Sequence, residues 1–176
     1  MKNAGQRRRV KRVAILVAAS VLLFGVLKGI QEAILCRSIL KNALFNNFQQ
    51  YRLDHAGHYP PDIISVAAAF PGGDRVETNR DILIGRLTCP GAGAKSPAIA
   101  NGEIESDYIY VNWEPLFGGD DLPRGYPLFY DRRLSNHYSL GVNVLTTDRR
   151  FFDFRARWMK KFAADHPEYG LRLPED

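Results

Sequence analysis

The stretch Val13-Ala14-Ile15-Leu16-Val17-Ala18-Ala19-Ser20-Val21-Leu22-Leu23-Phe24-Gly25-Val26-Leu27 decides how this chain is organised. It runs for fifteen residues without a charge until Lys28 interrupts it. As a helix rising 1.5 Å per residue, the run reaches about 22 Å, short of the roughly 30 Å hydrocarbon core of a bilayer. The helical pattern continues through Ile30, Ala33, Ile34 and Leu35. Lys28 can snorkel to the interface, so about 20 residues can be immersed. A transmembrane helix over 13–35 is therefore expected, with Val13, Leu16, Val21, Leu23, Phe24 and Leu27 facing lipid.

Outward from the run, residues 1–12 hold Lys2, Arg7, Arg8, Arg9, Lys11 and Arg12 and no acid. The positive-inside rule puts this basic tail in the cytoplasm and residues 36–176 beyond the inner membrane. A cleaved signal peptide shares the pattern of a basic segment before an apolar one. No A-x-A site follows Leu27, however, and Leu35 is bulky where lipidation of Cys36 would need a small residue. A soluble N-terminal helix is the third reading.

The formal charge of +5 belongs to the tail. Removing its six basic residues from 24 leaves 18 against 19 acids, a net of −1 for the remainder. A nucleic-acid partner is not expected, because no global basic excess is left to neutralise phosphates. With 45% apolar and 24% charged residues the rest is expected to fold as one domain.

Beyond the membrane, Ile34, Leu35, Ile39, Ala43, Leu44, Phe48, Tyr51 and Leu53 recur at spacings of three and four, so the helix is expected to run to about His55. Gly57-His58-Tyr59-Pro60-Pro61 stops it. A short helix capped by Asp62 follows to Phe70, and Ile82–Cys89 reads as a strand or a short helix end. Asp107–Trp113, Tyr126–Tyr130, Gly141–Thr147 and Phe151–Phe154 read as antiparallel strands, each bounded by turn residues. A C-terminal helix is expected over about Ala156–Asp165, before Pro167. The class is α+β.

Cys36-Arg37-Ser38-Ile39-Leu40-Lys41-Asn42 through Gln49-Gln50-Tyr51-Arg52-Leu53-Asp54-His55-Ala56-Gly57-His58-Tyr59-Pro60-Pro61 resembles the helix end and Tyr-Pro-Pro of type IV pilins and type II secretion pseudopilins. Leu87-Thr88-Cys89-Pro90, Ser106-Asp107-Tyr108-Ile109-Tyr110-Val111 and Asn136-His137 leading into Gly141-Val142-Asn143-Val144-Leu145 resemble a group of these proteins common in planctomycetes and verrucomicrobia. The resemblance covers residues 33–165 and implies a pilin-like fold in an envelope machine. Two departures stand out. The prepilin cleavage motif has no match around the apolar run, which implies a subunit that stays in the membrane. The group's His, nine residues, Asp-Gly is here His137, ten residues, Asp148-Arg149, so the hairpin glycine is lost.

The two cysteines, Cys36 and Cys89, can form a disulfide in an exported, oxidising compartment. Closing a loop of about 50 residues contributes roughly 2–4 kcal/mol. The alternative is a buried Cys36 near the membrane surface and a free Cys89. His55 and His58 form H-x-x-H and, with Asp54 or His137, have the composition of a zinc site. Asp120 and Asp121 are candidate calcium ligands, as in a loop of the major pseudopilin, or else a solvated turn.

Arg149, Arg150, Arg155, Arg157, Lys160 and Lys161 interleave with Phe151, Phe152, Phe154, Trp158 and Phe162. The spacing of four from Phe154 to Trp158 to Phe162 favours a packed helix face over a lipid or nucleic-acid surface. Ser65, His137 and Asp148 have the residue types of a triad without its sequence contexts, and no nucleophile elbow or phosphate loop occurs. The expectation is a non-enzymatic, membrane-anchored pseudopilin-like subunit without a cofactor. Its expected partners are the membrane, secretion-machine proteins and further copies of itself. A stand-alone anchored binding module presenting loops 90–103 and 114–125 is the second reading.

Overall fold

The computed structural model describes residues 3–69, 78–92, 99–100, 103–118, 123–137, 142–152 and 157–175. Its dominant element is one helical rod. Helix α1 (Asn3–Ser38) passes through a π-helical segment (Ile39–Phe45) directly into α2 (Asn46–Asp54). The rod ends where Ala56 and Gly57 take positive φ values of 53° and 89°, with Pro60 and Pro61 just beyond.

Only some of the apolar residues that recur along the rod enter the core. Cys36, Leu40, Leu44, Phe45 and Phe48 are buried, whereas Ile34, Leu35 and Leu53 are exposed. The bonding from residue i to i+5 in the π segment inserts an extra residue in the turn, so that Leu44 and Phe45 both point inward.

Two short helices pack beside the rod. In α3 (Ile63–Ala68) the Asp62 carboxylate accepts the Ser65 N–H, as expected of a cap. The uncertain segment before Cys89 is helix α4 (Arg80–Leu87). Asn79 caps it by accepting the N–H groups of Asp81 and Ile82, which settles it against a strand.

A two-stranded ribbon, β1 (Ile99–Ala100) and β2 (Glu103–Ile104), precedes the main sheet. That sheet is antiparallel in the order β3 (Tyr108–Tyr110), β4 (Pro127–Asp131), β5 (Val144–Thr146), β6 (Phe151–Phe152). Strand β3 is shorter than the run Asp107–Trp113 that announced it, and β4 keeps the length of Tyr126–Tyr130 but is shifted by one residue. A four-residue helix, α5 (Glu114–Phe117), links β3 to β4.

Alternation along the strands builds two cores. Tyr108, Phe129 and Leu145 face the rod with Leu40, Leu44 and Phe48, while Tyr130 and Val144 face Met159 of α6 (Arg157–Asp165). Every residue of β4 is buried because both faces of this strand are covered. Phe48 packs edge-on to Tyr59 and Phe129, at ring centroids of 5.5 and 6.1 Å. The C-terminal segment returns to the sheet: Glu175 accepts the Leu134 N–H and donates its own to the Arg132 carbonyl. The architecture is thus α+β, with a long apolar N-terminal helix, a small antiparallel sheet and a C-terminal helix.

Candidate functional site

Four side chains from distant parts of the sequence meet where α1 passes the turn Leu134–His137. Cys36 lies near the end of α1, Cys89 follows α4, Asp131 closes β4 and His137 ends a 3-10 turn. Their ligand-type atoms all fall within 4.8 Å of one another, and all four residues are buried. Cys36 and Cys89 are joined as a disulfide, with Cα atoms 5.7 Å apart, inside the roughly 4.4–6.8 Å span of paired cysteines. His137 Nε2 lies 3.0 Å from Asp131 Oδ2 and 3.7 Å from Cys89 Sγ. Asp131 Oδ1 lies 3.7 Å from Cys36 Sγ.

A second ring of polar groups fixes these four. Asn143 donates its backbone N–H and its side-chain amide to Asp131 Oδ2, at 2.6 and 3.2 Å. The same amide nitrogen is 3.2 Å from His137 Nε2, and the Asn143 side-chain oxygen accepts from Arg37 Nε at 2.9 Å. Asp107 accepts the Cys89 N–H at 2.9 Å. The Tyr108 hydroxyl sits 3.2 Å from Cys36 Sγ. Burial, then the negative charges of Asp131 and Asp107, push the Tyr108 phenol well above its ordinary value. His137 Nδ1 has no hydrogen-bond partner among the described residues.

Of the expected site residues, the cysteines come together and several others do not. His55 stacks on Tyr51 at a centroid distance of 3.8 Å, and His58 bonds Glu114 at 2.5 Å, so the H-x-x-H pair is divided between two local contacts. Glu114 also accepts the Tyr59 N–H. The His58 bond, followed by this backbone bond, holds the Glu114 carboxyl below its ordinary value. Ser65 lies in α3 and Asp148 binds Thr146 and Arg150, so neither joins His137. Asp120 and Asp121 lie outside the described residues, as do Phe154 and Arg155.

The aromatic face of α6 is packed, as its spacing indicated. Trp158 stacks on Phe152 and Phe162 at 4.7 and 5.3 Å, and Arg157, Lys160 and Lys161 are exposed on the other side. The hairpin turn after β5 is made without glycine. Arg149 takes the left-handed conformation itself, with φ 62°, and its guanidinium lies 4.6 Å from the Phe45 ring. Beside this turn an open cleft of about 540 Å³ is lined by Phe45, Gln49, Arg124, Thr147, Asp148 and Arg149.

The anchor residues are bare. Val13, Leu16, Val21, Leu23, Phe24 and Leu27 expose 57–70% of their surface. Protein contacts begin later: Gly29 is buried, Glu32 and Ala33 are half-buried, and Lys28 and Glu32 approach to 3.7 Å.

Asp131 escaped the sequence reading, and His137 entered it only in the wrong company. The available signal was an acid directly after the apolar strand residues Leu128-Phe129-Tyr130, where a buried strand leaves no solvent for a carboxylate. Compared with protein families, with curated proteins and with solved structures, the chain matches none.

Proposed function

We propose that this chain is a membrane-anchored, pseudopilin-like structural subunit of a type II secretion or type IV pilus-like envelope machine. The observation that carries the reading is the single rod, bare and apolar at one end and seated on a four-stranded antiparallel sheet at the other. A soluble protein rarely leaves so large a contiguous apolar surface in water. In a bilayer that surface is solvated, and the basic tail holds the N-terminus on the cytoplasmic side.

The domain then stands on the far side of the inner membrane. The helix flank bearing Ile30, Ile34 and Leu35, each about half exposed, offers apolar contact to neighbouring helices in the machine, including other copies of this chain. A role in assembly fits the placement of the buried polar residues, which tie the rod to the sheet through Arg37, Asn143 and Asp131. The test is co-purification of a tagged full-length chain in mild detergent. Recovery of secretion ATPase, platform or other pseudopilin subunits supports the reading, and recovery of the chain alone contradicts it.

The cleft beside Arg124 and Arg149 favours a second reading, an anchored binding module. A small anionic ligand that raises the melting temperature of the wild type, and not of Arg124→Ala, would support that alternative.

A further inference from the structure

We infer that Cys36, Cys89, Asp131 and His137 form a buried tetrahedral site for a zinc-like divalent cation, bound by the two cysteines as thiolates. The inference is independent of the proposed role in an envelope machine.

Donor chemistry comes first. Two sulfurs, an imidazole nitrogen and a carboxylate oxygen are a borderline-soft set that suits zinc in a four-coordinate site closed to water. All four residues are 0–2% exposed, so the chain supplies every ligand and leaves no open position for substrate. Such a site is structural.

Geometry comes second. With Zn–S near 2.3 Å and Zn–N and Zn–O near 2.0 Å, the edges of a tetrahedral site measure about 3.3–3.8 Å. Here Cys89 Sγ lies 3.7 Å from His137 Nε2 and Cys36 Sγ lies 3.7 Å from Asp131 Oδ1. His137 Nε2 is 3.0 Å from the other carboxylate oxygen, Oδ2, and one ligand atom from each residue falls within 4.8 Å of all the others. Binding requires the sulfurs to part to about 3.8 Å by the same bond lengths, a movement of one side chain on α1 and one just after α4.

The surroundings make the third argument. A plain sulfur–sulfur bridge needs neither a wholly buried carboxylate nor a wholly buried imidazole beside it. Burying both costs free energy that a cation between them offsets. Asn143, with two donors on Asp131 Oδ2, and Tyr108, at Cys36 Sγ, stand where outer groups orient metal ligands. His137 Nδ1 has no partner among the described residues, and Nε2 is the ring nitrogen aimed into the cluster.

Loading starts from the opened bridge: a dithiol reductant gives up two electrons and two protons, becomes a disulfide itself and leaves Cys36 and Cys89 as thiols. Binding is then balanced by proton release. Zn²⁺ forms two Zn–S bonds, one Zn–N bond and one Zn–O bond, and the two thiol protons leave to solvent. With Asp131 ionised and His137 neutral, the occupied site carries a net charge of −1.

The experiment uses the full chain in mild detergent, kept anaerobic with a phosphine reductant, stripped of metal and titrated with Co²⁺. One equivalent taken up, with a thiolate-to-cobalt charge-transfer band in the near ultraviolet and displacement by Zn²⁺, supports the site. Cys36→Ser should remove much of that band. Asn143→Ala, which leaves all four ligands in place, should weaken binding about 10–100-fold. Should reduction loosen the fold, recovery of the native circular dichroism on adding Zn²⁺ supports the site equally. The inference is overturned if the reduced chain, folded or not, takes up no cobalt and regains no structure with zinc. It is also overturned if uptake survives unchanged in Cys36→Ser, because an adventitious ion would then be the only one bound.

Discussion

Residues 13–27 and residues 36–48 belong to one helical rod, yet their surroundings are opposite. The first stretch is almost wholly exposed, whereas the second buries Cys36, Leu40, Leu44, Phe45 and Phe48 against a sheet. Both are rich in apolar residues. What separates them is arrangement: the first is apolar all round, and the second has one apolar side with Lys41, Asn42 and Asn46 exposed on the other. A helix apolar all round needs a solvent of the same kind, and a one-sided helix needs a partner surface. The contrast is the one that the proposed anchor requires, a rod fitted to two media with the change between Lys28 and Cys36.

The largest expected effect tests the first stretch. Leu16→Arg with Leu23→Arg places two charges at the centre of the span, each costing about 2.5–3.5 kcal/mol of insertion. The double variant should leave the membrane fraction while the domain keeps its circular dichroism. The second stretch is tested by Phe48→Ala, expected to destabilise the domain by about 3–5 kcal/mol in denaturant unfolding. The matching change Phe24→Ala should stay within about 0.5 kcal/mol in the same assay, because Phe24 is 70% exposed. Equal losses from the two phenylalanines would erase the distinction.

Smaller effects probe how the domain presents its surface to the rod. Trp113 donates from Nε1 to the Pro127 carbonyl at 2.7 Å in a buried setting. Trp113→Phe should cost about 1–3 kcal/mol by leaving that carbonyl unpaired. Asp62→Ala removes the cap of α3, for about 0.5–2 kcal/mol. The smallest effect concerns Glu114, which ties the turn ending the rod to α5. Its carboxyl titrates below the ordinary value, so the stability it contributes is full above that value and is lost as the pH falls through the lowered one. Glu114→Gln should flatten the acid limb of a melting-temperature profile in that window and leave the neutral region nearly parallel to wild type.

Much of this contrast was legible in the sequence, because it rests on local pattern. The uncharged run, the rod ending at Gly57, the Asp62 cap, the strands around Tyr108–Tyr110 and Pro127–Asp131 and the packed face of α6 each follow from neighbours a few residues apart. Which side of the rod faces inward was not legible in the spacing, since the π segment breaks the regular period and turns both Leu44 and Phe45 into the core. The segment before Cys89 stayed ambiguous because eight residues are too few for periodicity to separate a strand from a helix. The buried cluster was the least legible. Cys36 and Cys89 are 53 residues apart, and Asp131 and His137 come later still. Only the packing of α1 on the sheet brings them together. Arg149 shows the converse: the turn is made without the residue type that usually marks it.

Alkaline extraction of membranes carrying the full-length chain, followed by the intact mass of the retained protein, tests the two-media rod most directly. The expected result is a chain that stays with the membrane and retains residues 1–35, with its domain open to protease from the outer side. A chain released at high pH, or one whose mass shows the apolar run removed, would contradict it.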